Sequence, residues 1–120
     1  MSIVEYFADE TGDVVDDAVY KRNLAVQERL WVKFDFIKSD GLWDGREIYQ
    51  ESVSKSVLTG DGKYGITAGY GLSIAVLAGE ELMTNFTDTK YIDFDMPWWP
   101  DSLIGVLSVN GKLWMASGDI

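Results

Sequence analysis

The sequence predicts an α/β fold, a three-layer sandwich in which helices cover a mostly parallel sheet in the order βαβαβα, followed by a C-terminal hairpin. Short segments of strand length alternate with longer segments of helical periodicity, which favours parallel strands joined by right-handed helical crossovers. The dipeptide Asn110-Gly111 between two apolar runs indicates the hairpin. The chain has 120 residues, 47% of them hydrophobic, so we expect one domain, residues 1–120, with its own core.

The first half of the chain is expected to supply two strands and two helices. A short strand fits Ile3 to Phe7, and a helix fits Asp16 to about Leu30, with Asp16 as its N-cap. Apolar and polar residues alternate from Trp31 to Ile37, which is typical of a strand. The second helix is predicted from Asp44 to about Thr59, because Gly60-Asp61-Gly62 would end it.

The second half is expected to complete the layered fold. The predicted elements are a strand at Tyr64 to Ala68, a turn at Gly69 to Gly71, a helix at Leu72 to Leu82, a loop at Asn85 to Met96, a short helix at Asp101 to Leu107, and hairpin strands at Ser108 to Val109 and Lys112 to Ala116. The residues expected in the core are Val19, Val26, Val32, Phe34, Phe36 and Ile66.

Composition excludes several functional classes. The net charge of −10 argues against binding to nucleic acid or to an anionic membrane surface. The chain has no cysteine and no histidine, which removes thiolate chemistry and the commonest general base and metal ligand. No apolar run reaches the roughly 18 residues that a membrane span needs. We therefore expect no membrane insertion by this chain, no catalytic residue, no metal and no cofactor.

Three enzyme-like or metal-like patterns have simpler interpretations. Asp40, Asp44 and Glu51 partly fit a calcium loop, but Leu42 occupies a ligand position. Gly71 to Ala75 resembles a nucleophile elbow around Ser73, although the chain offers no histidine as base. The pattern S-x-x-K at Ser52 to Lys55 lies within a predicted helix, where a solvated face explains it.

Several segments, in order along nearly the whole chain, resemble one branch of the bacterial extracellular solute-binding proteins that serve ABC importers. They are Glu10-Thr11-Gly12-Asp13, Asp17-Ala18-Val19-Tyr20-Lys21-Arg22-Asn23 with Val26-Gln27-Glu28-Arg29, Ser54 to Tyr64 with Gly69-Tyr70, Asn85-Phe86-Thr87-Asp88, Tyr91 to Pro100 with its Pro-Trp-Trp, and Leu107 to Asp119 with its Asn-Gly turn. Gly65 departs from the family pattern, which has an acid before the isoleucine.

The resemblance implies a type II periplasmic-binding-protein fold, of which this chain would be the N-terminal part of lobe one. In the parent protein it implies an extracellular lipoprotein that captures a small polar solute, such as a sugar, between two lobes and delivers it to an ABC permease. The chain is several times shorter than the family's proteins. We therefore expect a truncated lobe with bare apolar surface and a free sheet edge, and hence a homo-oligomer of the fragment, with weak or no solute binding by a single chain.

Candidate solute-binding residues follow from the rule that ligands lie beyond the carboxyl ends of the strands in open parallel sheets. Aromatic faces beside carboxylates and helix N-terminal amides suit a sugar or another small polar solute. The candidates are Asp9, Glu10, Asp40, Trp43, Gly69, Tyr70, Gly71, Ser73 and Asp119.

Two alternative functions remain open at this point. One is a stand-alone carbohydrate-binding module that uses Trp43, Trp98 and Trp99 as stacking platforms. The other is a carboxylate-dependent hydrolase built on a pair such as Asp93 and Asp95. The sequence does not identify the solute.

Overall fold

A computed structural model of the protein describes residues 6–117, and helices dominate its regular structure. The described helices are α1 Val14–Leu30, α2 Arg46–Thr59, α3 Gly71–Gly79 and α4 Asp101–Leu107, with a 3-10 turn at Phe86–Asp88 between α3 and α4. The described strands are β1 Ser108–Val109 and β2 Lys112–Leu113. All four predicted helices are therefore present, with shifts at several of their ends.

Local capping chemistry determines where α1 begins and ends. Asp13, not Asp16 as predicted, is the N-cap, and its carboxylate accepts from the amides of Val15 at 2.9 Å and Asp16 at 3.3 Å. At the other end Trp31 adopts a left-handed backbone with φ 54° and donates its amide to the carbonyl of Gln27. The segment 31–37, which was predicted as a strand, therefore begins with the C-cap residue of α1.

The second helix ends where predicted, whereas the third helix ends earlier than predicted. Helix α2 ends at Thr59 as predicted, because Gly60 takes φ 65° and donates its amide to the carbonyls of Ser56 and Val57. Helix α3 starts one residue earlier than predicted and ends at Gly79. The predicted end at Leu82 was wrong, because Glu81 already has a left-handed φ of 56°.

The predicted three-layer sandwich with a mostly parallel sheet is wrong. Within residues 6–117 the structure contains one sheet, of two antiparallel strands. The segments 31–37 and 64–68 carry no ladder of hydrogen bonds. The predicted strand at Ile3 to Phe7 falls mainly outside the described residues. Alternation shows that a segment could serve as a strand, but a strand forms only beside a second strand that takes its backbone hydrogen bonds.

The predicted core is confirmed at Val19 and was mostly wrong elsewhere. Of the six residues expected to be buried, Val19 is buried, Phe34 is partly buried, and Val26, Val32, Phe36 and Ile66 are exposed, Ile66 at 89%. Phe36 packs locally on Phe7, with ring centroids 5.1 Å apart, and on Phe34 at 5.7 Å. These aromatic rings contact one another without lying beneath a sheet.

The C-terminal hairpin is confirmed. Ser108 pairs with Leu113 and Val109 with Lys112, and Asn110 and Gly111 both have positive φ, 53° and 73°. That combination is the primed turn that Asn-Gly favours. The second strand stops at Leu113 and does not reach Ala116 as predicted. Leu113 is buried, and its amide donates to Asn85 Oδ1 at 3.0 Å.

Contacts divide the chain into two units, Met1–Lys38 and Ser39–Ile120. The core of the second unit lies between α2 and α3, where Tyr49, Val53 and Leu77 are buried together. The side chains that pack around them are Tyr64, Ile74, Leu82 and Met83. This helix–helix contact, and not a sheet, positions the loops that carry most of the candidate residues.

Candidate functional site

Two loops that carry candidate residues meet at the ring of Tyr49. A Cβ on Gly41 would lie 3.5 Å from Cγ and Cδ2 of Tyr49, and a Cβ on Gly69 would lie 3.1 Å from its Cζ and Oη. Both glycines therefore approach the same ring closely. Helix α2 thus brings the loop of Asp40 next to the loop of Tyr70. The sequence had predicted this proximity at the edge of a parallel sheet, which residues 6–117 do not form.

The two candidate aromatic residues contact each other. Trp43 and Tyr70 pack edge to face, with ring centroids 6.4 Å apart and planes at 85°. An aromatic pair of this kind contributes about 0.5–1.5 kcal/mol beyond its buried area. Trp43 is nevertheless 57% exposed and Tyr70 46% exposed. Each ring therefore keeps a large accessible surface while its partner holds it in place.

Arg46 completes what we call the aromatic site, namely Trp43, Arg46, Tyr49 and Tyr70. Its guanidinium carbon lies 4.2 Å from the centroid of the Trp43 ring, and its Nη1 donates to the Trp43 carbonyl at 2.5 Å. Nη2 of Arg46 also lies 3.3 Å from Glu47 Oε1. A cation thus covers one face of Trp43. Sequence reasoning missed Arg46, although its spacing of three residues from Trp43 at a helix start was a usable signal.

Asp40 shapes the loop that carries Trp43. Its Oδ1 accepts a long hydrogen bond from the Leu42 amide at 3.4 Å, and a Cβ on Gly45 would lie 2.0 Å from its carbonyl oxygen. Only glycine at position 45 permits this closure. Among residues 6–117 no group of three or more Asp, Glu, His or Cys side chains is arranged to hold a metal ion.

The remaining candidates of this unit lie at the N-terminus of α3. Tyr70 is the N-cap, and its carbonyl accepts from the amides of Ser73 at 2.9 Å and Ile74 at 3.1 Å. The amides of Gly71 and Leu72 have no acceptor among the described residues. These two amides can donate to a ligand, as the first amides of helices commonly do.

Two buried hydroxyls lie within this region. Ser73 is fully buried, Tyr49 is nearly so, and neither Ser73 Oγ nor Tyr49 Oη has a hydrogen-bond partner among the described residues. Burial raises the pKa of Tyr49, and the nearby Tyr64 raises it further. The Thr67 side chain lowers this pKa, although it forms no well-aligned hydrogen bond with the Tyr49 hydroxyl. Sequence reasoning missed Tyr49, because nothing in the pattern of α2 marks it as the ring on which both loops rest.

A polar cluster lies on the α2 side of the same unit. The hydroxyls of Ser52 and Tyr64 are 2.6 Å apart, and Lys63 Nζ lies 5.0 Å from the centroid of the Tyr64 ring. Hydrogen bonds from Ser52 and then from Lys63 lower the pKa of Tyr64. A hydrogen bond from Ser56 and then one from the Lys63 amide lower the pKa of Asp61. These contacts tie the end of α2 to the segment that follows it.

The serines of the S-x-x-K pattern take part in structural contacts. The hydroxyls of Ser52 and Tyr64 are hydrogen-bonded, as described above, and Ser54 Oγ donates to Glu80 Oε2 at 3.1 Å. Asp93 and Asp95, the pair named for the hydrolase alternative, lie in a local turn in which Asp93 Oδ1 accepts from the Asp95 amide at 3.0 Å.

Of the other solute-site candidates, two belong to the first unit and one lies outside the described residues. Asp9 and Glu10 are exposed residues of the first unit. Asp119 lies outside the described residues. In the Pro-Trp-Trp segment, Trp99 packs on Phe94 at 5.3 Å, whereas Trp98 remains exposed.

No helix within residues 6–117 combines the length and the apolar character needed to cross a bilayer. Comparison of the chain with protein-family models, with curated proteins and with solved structures found no match.

Proposed function

We propose that the protein is part of the substrate-capturing component of an ABC importer and that its aromatic site contacts a small polar solute, such as a sugar. One structural observation carries the proposal. Trp43 and Tyr70, which come from separate loops, pack together and stay about half exposed beside the first amides of α3, which have no acceptor among the described residues. The ordered motifs that resemble solute-binding proteins of ABC importers support the same function.

The chemistry of the site suits reversible capture. The apolar face of a sugar ring can pack on an aromatic ring, and its hydroxyls can accept from the amides of Gly71 and Leu72. Arg46 covers one face of Trp43, so the solute would use the remaining surface of that ring and of Tyr70. No covalent step is needed, and the solute would leave unchanged for the permease. In the parent protein we place this site outside the cell, on a lipid-anchored component.

A tryptophan-fluorescence titration with maltotriose tests the proposal. We expect weak quenching, because a single lobe offers only part of the site, and we expect Tyr70→Ala to weaken it at least about tenfold further, because the ring that supports Trp43 and contacts the sugar is removed. Tyr91→Ala is the matched control, since Tyr91 is an exposed tyrosine outside the aromatic site. Equal binding by both variants, or no saturable signal with any soluble oligosaccharide, would contradict the proposal.

The exposed ring of Trp98 favours a second candidate, a stand-alone carbohydrate-binding module that also uses Trp43. Trp99 fits this function less well, because it packs on Phe94. The same titration separates the two functions. Binding that is lost with Trp98→Ala but retained with Tyr70→Ala would favour the module.

We also propose that copies of the chain associate. Apolar side chains lie exposed on the second unit, among them Leu58 and Ile66, and the hairpin is a two-strand sheet whose edges are unpaired among the described residues. Light scattering at micromolar concentrations should show a mass above that of one chain. A constant monomer mass over that range would contradict the association.

A further inference from the structure

A separate cleft of about 250 Å³ lies between the end of α3, the end of α4 and the hairpin. None of the four residues of the aromatic site lines this cleft. Small residues of α3 contribute Ala75, Ala78 and Gly79 to its wall. Val106, Val109 and Met115 add aliphatic surface from the other side. The cleft is therefore small, and its lining is mostly apolar, as that of ligand sites commonly is.

Two opposite charges line the same cleft without neutralising each other. Glu81 and Lys112 both contribute to its wall, and within residues 6–117 neither side chain has an ion-pair or hydrogen-bond partner. Lys112 Nζ lies 5.2 Å from the centroid of the Trp114 ring, which also lines the cleft. Glu81 is exposed and has a left-handed backbone with φ 56°, which is uncommon for a residue with a side chain.

We propose that this cleft binds a free aliphatic amino acid in its zwitterionic form. The ammonium group of the ligand pairs with Glu81, its carboxylate pairs with Lys112, and its side chain packs against Val106 and Val109. The charges match one for one, so the complex leaves neither ion of the cleft without a partner. A volume of about 250 Å³ suits a ligand of this size better than an oligosaccharide.

Titration of L-leucine into the isotopically labelled full chain, followed by NMR, tests the proposal. We expect saturable shifts at the backbone amides of 75–81 and 106–115, with the resonances of Trp43 and Tyr70 unchanged. This result is independent of the proposed sugar site, because the two sites share no residue. Absence of saturable shifts, or shifts centred on Trp43 and Tyr70, would overturn the proposal.

Two leucine analogues separate the contributions of the charges. 3-Methylbutylamine lacks the carboxylate, and 4-methylpentanoate lacks the ammonium group. Each should bind at least about tenfold more weakly than leucine, because each loses one charge-assisted hydrogen bond. Lys112→Met should weaken leucine about tenfold but leave 3-methylbutylamine unchanged, and Glu81→Gln should weaken leucine but leave 4-methylpentanoate unchanged. Equal affinity of leucine and both analogues would contradict the pairing.

A glycine pair tests the position of the ligand without altering a charge. A Cβ at Gly79 would meet no atom within 4 Å, so Gly79→Leu can extend into the cleft and should abolish the leucine shifts. Gly105→Leu is the matched control, because Gly105 has equal free space and does not line the cleft. Identical leucine binding by the two variants would overturn the proposal. Should Gly79→Leu fail to fold, the analogue series with Lys112→Met decides the question.

Discussion

The two units of the chain stabilise their helices in different ways. In the first unit, α1 has 17 residues, yet Val19 is its one buried residue and Trp31 at its end is 94% exposed. In the second unit, α3 has 9 residues, yet Ser73, Leu77 and Ala78 are buried. Helix length therefore does not indicate burial in this chain. A packing partner decides it, and α3 has one in α2.

In the first unit, α1 is held mainly by polar contacts and not by buried apolar side chains. Asp17 Oδ1 accepts from the amides of Thr11 at 3.0 Å and Gly12 at 3.1 Å, in the turn that precedes the helix. Asn23 Nδ2 donates to the carbonyl of Tyr6 at 2.8 Å. In the second unit Tyr49, Val53 and Leu77 form an apolar contact between two helices. We expect substitutions to have different consequences in the two units for this reason.

Loss of apolar packing should have the largest effect. Leu77→Ala removes a fully buried side chain, and we expect a loss of about 2–5 kcal/mol in the free energy of unfolding. Leu30→Ala, its matched control on α1, alters a leucine that is 60% exposed and should change stability by about 0.5 kcal/mol or less. Urea denaturation of both variants measures the difference. Similar losses in the two variants would break the comparison between the units.

Close backbone approach in the second unit should have the next largest effect. At Gly45 a Cβ would collide with the carbonyl oxygen of Asp40, so Gly45→Ala should cost about 1–3 kcal/mol and disturb the loop that carries Trp43. Gly105→Ala in α4 has open space and should stabilise by about 0.5–1 kcal/mol. Denaturation midpoints that move in opposite directions would confirm the expectation. Equal destabilisation would show that the glycines are not distinguished by these contacts.

Local capping should matter more for α1 than for α2. Asp13→Ala removes the two amide contacts of the N-cap and should cost about 1 kcal/mol. The control is Asp44→Ala, since α2 has no side-chain hydrogen bond at its N-cap. We expect less than about 0.5 kcal/mol from that change. Hydrogen exchange of the first α1 and α2 amides reports each helix separately. A larger increase in exchange for α2 after Asp44→Ala than for α1 after Asp13→Ala would contradict the contrast.

The smallest effect should come from Tyr49→Phe, which tests the buried hydroxyl of the second unit. Near neutral pH the variant should be at least as stable as the parent, because it removes a buried hydroxyl that has no well-aligned hydrogen-bond partner among the described residues. Burial raises the pKa of Tyr49 in the folded protein. The contribution of Tyr49 to the free energy of unfolding is therefore complete below its pKa in the unfolded chain, about 10. It is lost as the pH rises through the higher pKa of the folded protein.

Melting temperatures measured from pH 8 to 11 test this pH dependence. Tyr49→Phe should lose less stability than the parent over the alkaline part of this range. Tyr91→Phe is the control, because Tyr91 is exposed and lies outside the core of the second unit. A Tyr49→Phe variant whose alkaline profile follows that of the parent would refute the assignment.

The sequence by itself determined the features that depend on a few neighbouring residues. Gly60 after Thr59 ended α2 where predicted, because glycine readily adopts the positive φ of a helix C-cap. Asn110-Gly111 formed the predicted hairpin turn for the same conformational reason. The proximity of the Trp43 and Tyr70 loops was also expected, although from a sheet edge that the structure does not contain.

Only the tertiary structure decided which segments pair and which side chains are buried. The alternation at residues 31–37 is compatible with a strand, but a ladder needs a neighbouring strand, and sequence periodicity cannot supply one. Tyr49 supports two loops because α2 packs on α3, a contact between residues far apart along the chain. Glu81 and Lys112 line one cleft because α3 and the hairpin form its walls together. Such long-range contacts depend on the whole chain's packing and leave no local pattern in the sequence.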